Sequence, residues 1–209
     1  YFATSPTQFW NKWHISLSLW IRDYLYLPLI FKNRNSSLRI FLGLMIAFML
    51  IGFWHGDGWN FLIFGILQGI FVGIHTMLRS KILFLRNHKF FKTKFGKISS
   101  ILVTQYLIFF SFLAFRISDL QHLFYSMEKY LILDFQIIET ISIIQSHKLS
   151  IGLMILFMAI HFISFRKGNL VEVFSKLNYK YWVLFLTTGI LAILLFYDGN
   201  PTDFIYFKF

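Results

Sequence analysis

From residue 38 onward the chain is a succession of apolar runs set off by polar interludes, the runs falling at 38–54, 59–78, 101–117, 150–165 and 181–197. Each is long enough, or nearly so, to cross a hydrocarbon core of about 30 Å as a helix, and the shorter ones leave little room for tilt. The pattern predicts an all-α, polytopic transmembrane bundle of about five spans. Two other stretches have a different rhythm. In "SDLQHLFYSMEKYL", Leu120, Leu123, Phe124, Met127 and Leu131 recur at helical spacing behind a Ser/Asp cap, which predicts an amphipathic interfacial helix.

The second stretch opens the chain. "SPTQFWNKWHISLSLWIRDYLYLPL" begins with Ser5, Pro6 and Gln8, a capping box with proline at the first helical position. On a wheel of 3.6 residues per turn, Phe9, Trp10, Trp13, Leu17, Trp20, Ile21 and Tyr24 share one arc. Gln8, Asn11, Lys12, Ser16, Ser18, Arg22 and Asp23 take the other, together with Ile15 and Leu19. His14 lies at the boundary and forms an i, i+4, i+8 row with Ser18 and Arg22. On physics alone this is either an interfacial helix carrying aromatic belt residues or a helix closing the cytoplasmic mouth of a cavity with His14 turned inward.

Charge orients the spans. Lys32, Arg34 and Arg39 precede the first run and only Asp57 follows it, while segment 79–100 carries Arg79, Lys81, Arg86, Lys89, Lys92, Lys94 and Lys97 with no acid. Segment 118–149 is net acidic, and 166–180 is basic again. Lysine and arginine mark the cytoplasmic side, so the 55–58 turn is expected outside the cell membrane. In a soluble chain a net charge of +11 would point to nucleic acid, but here the basic residues lie between apolar runs and serve topology. With 57% hydrophobic and 14% charged residues among 209, and no cysteine, the composition describes a membrane protein without thiol chemistry. No internal repeat or soluble linker divides it.

Candidate chemistry rests on histidine. His88 and His147 lie in polar loops and His122 on the amphipathic helix, where solvation suffices, and His75 and His161 sit in apolar runs that a neighbouring helix can satisfy. His55 ends an apolar run and meets Gly56, Asp57 and Gly58. Ionisable groups and irregular backbone at membrane depth face cavities or protein, so His55 is the functional candidate. Neither H-E-x-x-H, G-x-S-x-G nor a Walker loop occurs, so neither a metal site nor a bound cofactor is expected. A lone histidine suffices to take a hydroxyl proton while the oxygen attacks a thioester, help that is worth about 10² to 10⁴ in rate.

The opening segment, followed after its His14 by "GFWHGDGWNFLIFGILQG", resembles the membrane-bound O-acyltransferase family, specifically its bacterial alginate O-acetyltransferase-like branch. "FSFLAFRISDLQHLFYSM" and the tail "DFIYFKF" are similar to that branch as well. The resemblance implies a helical fold with a funnel from each face. It implies transfer of acetyl, or D-alanyl in a related branch, from a cytoplasmic thioester to a cell-surface polymer. It maps the family's catalytic histidine onto His55 and its second motif histidine onto His14, which the charge-based orientation places toward opposite faces. The family has helices upstream of these motifs, so residues 1–209 are expected to be the C-terminal part of one such domain. Leu29, Ile30 and Phe31 stand where relatives often carry Gly-Gly, and Gln68 stands where many carry histidine; glutamine hydrogen-bonds but does not titrate.

The sequence thus predicts a multi-pass O-acyltransferase of the bacterial cytoplasmic membrane with acetyl-CoA or another acyl thioester as donor and no bound cofactor. Its acceptor is an extracytoplasmic polysaccharide or a partner acetyltransferase. His55 is the expected base, and His14 with its helix shapes the donor side. Trp10, Trp13 and Trp54 form an apolar wall, with Ser18, Arg22 and Gln68 along the tunnel. Asp57 and Asn60 either orient groups near His55 or are solvated. Two rivals stand beside it: D-alanyl transfer from a small acidic carrier protein docked on the basic face, and a transporter or scaffold in which His55 only bridges helices.

Overall fold

The computed structural model describes residues 2–31, 36–81, 89–134, 137–167 and 170–196, and these are helices and short turns with no strand among them. Lys32, Arg34, Arg86, His88 and the tail motif at 203–209 lie outside the described residues. The chain forms two compact units, Tyr1–Phe135 and Gln136–Phe209.

The first unit is built on a helical hairpin. Helix α4 (Ser37–His55) and helix α5 (Trp59–Lys81) are joined by a turn at 56–58. Their backbones touch because glycines face each other's helix: a β-carbon on Gly52 would stand 2.4 Å from the Phe61 carbonyl, and one on Gly65 2.4 Å from that of Phe48. Gly69 and Gly73 continue the row at four-residue intervals, against Met45 and Phe41. In a bilayer, where lipid is as apolar as leucine, close approach through small residues is what holds helices together.

A third long helix, α7 (Lys94–Arg116), runs antiparallel to α5 after the short α6 (Lys89–Lys92). It begins seven residues before the expected run at 101 because the Thr93 hydroxyl caps it, accepting from the Gly96 N–H at 3.0 Å. Polar pins join α5 to α7: Asn60 Nδ2 donates to the Ala114 carbonyl at 2.7 Å, and Gln68 Nε2 donates to Ser111 Oγ at 2.6 Å.

The opening segment is two legs, not one helix. Helix α1 (Pro6–Trp10) starts where the capping box predicts, with Ser5 Oγ accepting from the Gln8 N–H at 3.2 Å. It runs from the basic end of α5, where Thr7 bonds His75, past Gln68, which accepts from Trp10 Nε1, to a break at His14 beside Trp54. The chain then returns through α2 (Ile15–Ile21), a π-helical stretch at Arg22–Tyr26 and α3 (Leu27–Ile30). The return leg ends at the start of α4, where Arg39 Nε donates to the Leu29 carbonyl at 2.9 Å. The break and the π stretch shift the helical phase. Of the single arc drawn on the wheel, Phe9, Trp10 and Ile21 are buried, whereas Trp20 and Tyr24 are 57% and 71% exposed.

Helix α8 (Leu120–Ile132) is the amphipathic helix expected behind its cap, with the Asp119 carboxylate accepting from the His122 N–H at 2.8 Å. Leu123 and Met127 are buried while Phe124 and Leu131 are exposed. It folds back along α7, where Tyr106 and Tyr130 each donate a hydroxyl to the other's carbonyl at 3.1 Å.

The second unit comprises α9 (Ile137–Ser146), α10 (Lys148–Lys167), α11 (Leu170–Ser175) and α12 (Tyr179–Phe196). Among described residues, four helical stretches are long and apolar enough to span a membrane: Ser37–His55, Trp59–Arg79, Lys94–Arg116 and Lys148–Arg166, with mean hydropathies of 2.0, 2.0, 1.9 and 1.9. The fifth expected run, 181–197, coincides with α12, whose 18 residues reach about 27 Å at 1.5 Å per residue.

Candidate active site

His55 is the last residue of α4, and the chain turns away at Gly56, where a β-carbon would lie 2.5 Å from the Phe61 ring. Its imidazole is half-buried among aromatic rings. Trp54 and Phe115 each meet it edge-on with centroids 4.8 Å away, and Phe64 meets it at 6.3 Å. Phe64 and Phe115 are themselves packed edge-on at 4.4 Å, so α4, α5 and α7 all contribute to the cup. Such a setting packs the ring edge-on against aromatic side chains from three helices.

His14 sits at the break between α1 and α2 with φ 46° and ψ 49°, the left-handed region that few residues other than glycine adopt. The break is held locally. Lys12 and Trp13 N–H groups both donate to the Phe9 carbonyl at 2.9 Å, the Ser18 N–H donates to the His14 carbonyl at 3.0 Å, and Ser18 Oγ donates to the Trp13 carbonyl at 3.2 Å. Left-handed backbone at a non-glycine residue costs on the order of 1–3 kcal/mol and collects at functional sites. The His14 ring lies edge-on to Trp54, centroids 5.9 Å apart. Both imidazoles therefore border the same indole, at the end of α4 remote from the basic segment. The sequence placed His14 toward the opposite face; the αL break carries the first leg up to His55 instead.

The remaining candidates separate into three groups. Trp10, Ser18 and Arg22 line a cavity of about 280 Å³ between the two legs and the α4–α5 hairpin, which extends from Thr76 and Tyr26 to Ile51, one turn before His55. Arg22 pairs with Asp23 at 2.7 Å, both exposed; that bond raises the guanidinium's pKa and holds the Asp23 carboxyl below its ordinary range. Gln68 and Asn60 are buried cross-links. Gln68 is 0% exposed, accepting from Trp10 Nε1 at 2.9 Å and donating to Ser111 Oγ, which in turn donates to the Ile108 carbonyl. Asp57 is exposed in the turn, and Trp13 stacks on Phe9 at 5.6 Å and meets Phe112 at 6.0 Å. Sequence reasoning missed Ser111, Phe64 and Phe115. A hydroxyl inside the apolar run "FFSFLAFR" was the signal for Ser111; no local pattern signals the aromatic cup, which forms across three helices.

The description "MBOAT, membrane-bound O-acyltransferase family" matches residues 1–118, and these carry both histidines, the two-legged segment and the α4, α5 and α7 helices. The chain belongs to the membrane-bound O-acyltransferase family. It is 44% identical to a peptidoglycan O-acetyltransferase of Helicobacter pylori over 75 residues, 36% of this chain and 14% of that protein. A probable alginate O-acetylase of Azotobacter vinelandii is 43% identical over 79 residues, 38% of this chain and 16% of that protein. A teichoic acid D-alanyltransferase of Streptococcus thermophilus is 34% identical over 123 residues, 52% of this chain and 29% of that protein. The chain thus spans less than a third of the length of these relatives.

Proposed function

We propose that this chain is the C-terminal, chemistry-bearing part of an O-acyltransferase of the bacterial cytoplasmic membrane, which moves acetyl from acetyl-CoA to an extracytoplasmic polysaccharide or to a partner acetyltransferase. The observation that carries the reading is the His14–Trp54–His55 cluster, set one turn beyond the inner end of a cavity that opens from the basic end of the hairpin. In this reading His55 accepts the acceptor hydroxyl's proton as its oxygen bonds to the thioester carbonyl carbon. The tetrahedral intermediate then expels the thiolate, which takes the proton back from the imidazolium. His14 borders the same indole, and the cavity lined by Trp10, Ser18 and Arg22 admits the donor's thioester arm. Gln68 and Asn60 fix the helices that carry the site.

The test is acyl content of the surface polymer, normalised to protein level, in cells carrying full-length variants. His55→Ala and His55→Gln are both expected to lower it by about 10² or more, because glutamine hydrogen-bonds a hydroxyl but does not accept its proton. Near wild-type acylation with His55→Gln would reduce the ring to a helix bridge and overturn the base assignment. A second reading, D-alanyl transfer, draws support from the 123-residue match to the teichoic acid D-alanyltransferase. Chemical identification of the ester-linked group in the wild-type polymer separates the two.

A further inference from the structure

Two contiguous cavities at the basic end of the first unit have no part in the proposed acyl transfer. One, of about 500 Å³, is bordered by Gln8, His75, Arg79, Lys97 and Ser100, with two cations and no carboxylate among its described lining residues. The other, of about 510 Å³, is walled by Phe71, Ile74, Leu78, Phe90, Val103 and Leu107. Thr4, Ser5, His75, Leu78, Phe91 and Ser100 border both, so the polar chamber opens directly onto the apolar one. Each lies within the roughly 300–1,000 Å³ of ordinary ligand sites.

The apolar chamber is drier than its residue names suggest. Of its lining hydroxyls on α7, Ser100 Oγ donates to the Gly96 carbonyl at 2.8 Å and Thr104 Oγ1 to the Ser100 carbonyl at 2.7 Å, so these two are turned onto their own helix. At the junction His75 Nδ1 is bonded to Thr7 Oγ1 at 2.8 Å, which fixes the ring and ties α1 to α5. The chambers therefore form a receptacle with a positive polar mouth and an oily interior, next to a segment whose seven Lys/Arg and absent acids set it at the cytoplasmic surface.

We infer that this receptacle holds an anionic phospholipid of the inner leaflet, its headgroup phosphate between Arg79 and Lys97 and one acyl chain in the chamber of Leu78, Val103 and Leu107. The charge selects an anionic headgroup over a zwitterionic one, and the oily chamber selects a lipid over free phosphate. The bound lipid wedges α1 against α5 and α7, bracing the leg that leads to His14. This assignment does not depend on the acyl-transfer chemistry, because lipid retention is measured without turnover.

The experiment uses the purified full-length protein in detergent, delipidated and then titrated with phosphatidylglycerol, phosphatidylcholine or inorganic phosphate, with binding read by native mass spectrometry and thermal midpoint. Phosphatidylglycerol is expected to bind and raise the midpoint, and the other two are not. Arg79→Gln with Lys97→Gln is expected to weaken binding about 25-fold, at roughly fivefold per basic side chain at an anionic surface. Arg79→Lys with Lys97→Arg should retain it. Val103→Trp, which fills the oily chamber and leaves both cations, should weaken it as well. Equal binding of the two lipids, an equal effect of phosphate alone, or unchanged phosphatidylglycerol binding by the double glutamine variant would each overturn the site.

Discussion

Helices α4 and α10 are close to interchangeable by composition: stretches of 19 residues with mean hydropathies of 2.0 and 1.9. Their surroundings differ sharply. On α4, Gly43, Ala47, Phe48, Ile51 and Gly52 are buried, and Gly52 lies against the backbone of α5. On α10, Leu153, Ile155, Phe157 and Met158 are all more than half exposed, and among the described residues a β-carbon on Gly152 would meet nothing within 4 Å. Equal hydropathy with opposite packing shows that apolar content only commits a helix to lipid. Association needs small residues in register and polar side chains that find partners across the interface.

Glycine substitution strains that contrast most. Gly52→Val is expected to cost about 3 kcal/mol or more, the upper end of overpacking, because its β-carbon meets a carbonyl oxygen and not a flexible side chain. Gly152→Val is expected to stay within about 0.5 kcal/mol. Thermal unfolding of the purified full-length variants measures both, and a comparable loss at Gly152 would show α10 to be packed as tightly as α4.

Polar pins come next. Gln68→Leu removes the bonds to Trp10 and Ser111 and should cost about 1–2 kcal/mol, whereas Thr188→Val on α12 should cost under about 0.5 kcal/mol. The same unfolding assay applies, and equal effects at the two positions would remove the polar half of the distinction. The smallest effect belongs to the exposed Arg22–Asp23 pair. Because Arg22 holds the Asp23 carboxyl below its ordinary 3.8, its contribution is present above that value and fades as pH falls through the lower folded value. Asp23→Asn should therefore lower the midpoint slightly at pH 7 and not at all in strong acid; a difference that grows on acidification would contradict the pairing.

Much of the frame is legible without coordinates, since a hydrocarbon core imposes length and apolarity on any helix that crosses it. The α4–α5 hairpin and the caps at Ser5 and Asp119 were readable, because caps and turns depend on residues within four positions of one another. The opening segment was not. A wheel assumes one continuous helix, and the left-handed backbone at His14 together with the π stretch at Arg22–Tyr26 defeats that assumption. Gln68 was singled out because relatives often carry histidine there; that it joins three elements through Trp10 and Ser111 had no local signal.

By itself, then, the sequence determined the class of protein, the spans and the histidine most worth suspecting, because hydropathy, charge and local chemistry act along the chain. Only the tertiary structure decided that His14 stands beside Trp54 with His55 and that the aromatic cup comes from α4, α5 and α7. It alone joined two chambers, through shared lining residues such as His75 and Ser100, next to Arg79 and Lys97. Those arrangements depend on which glycine faces which backbone and where a helix breaks, contacts between different helices for which no local pattern carries a signal.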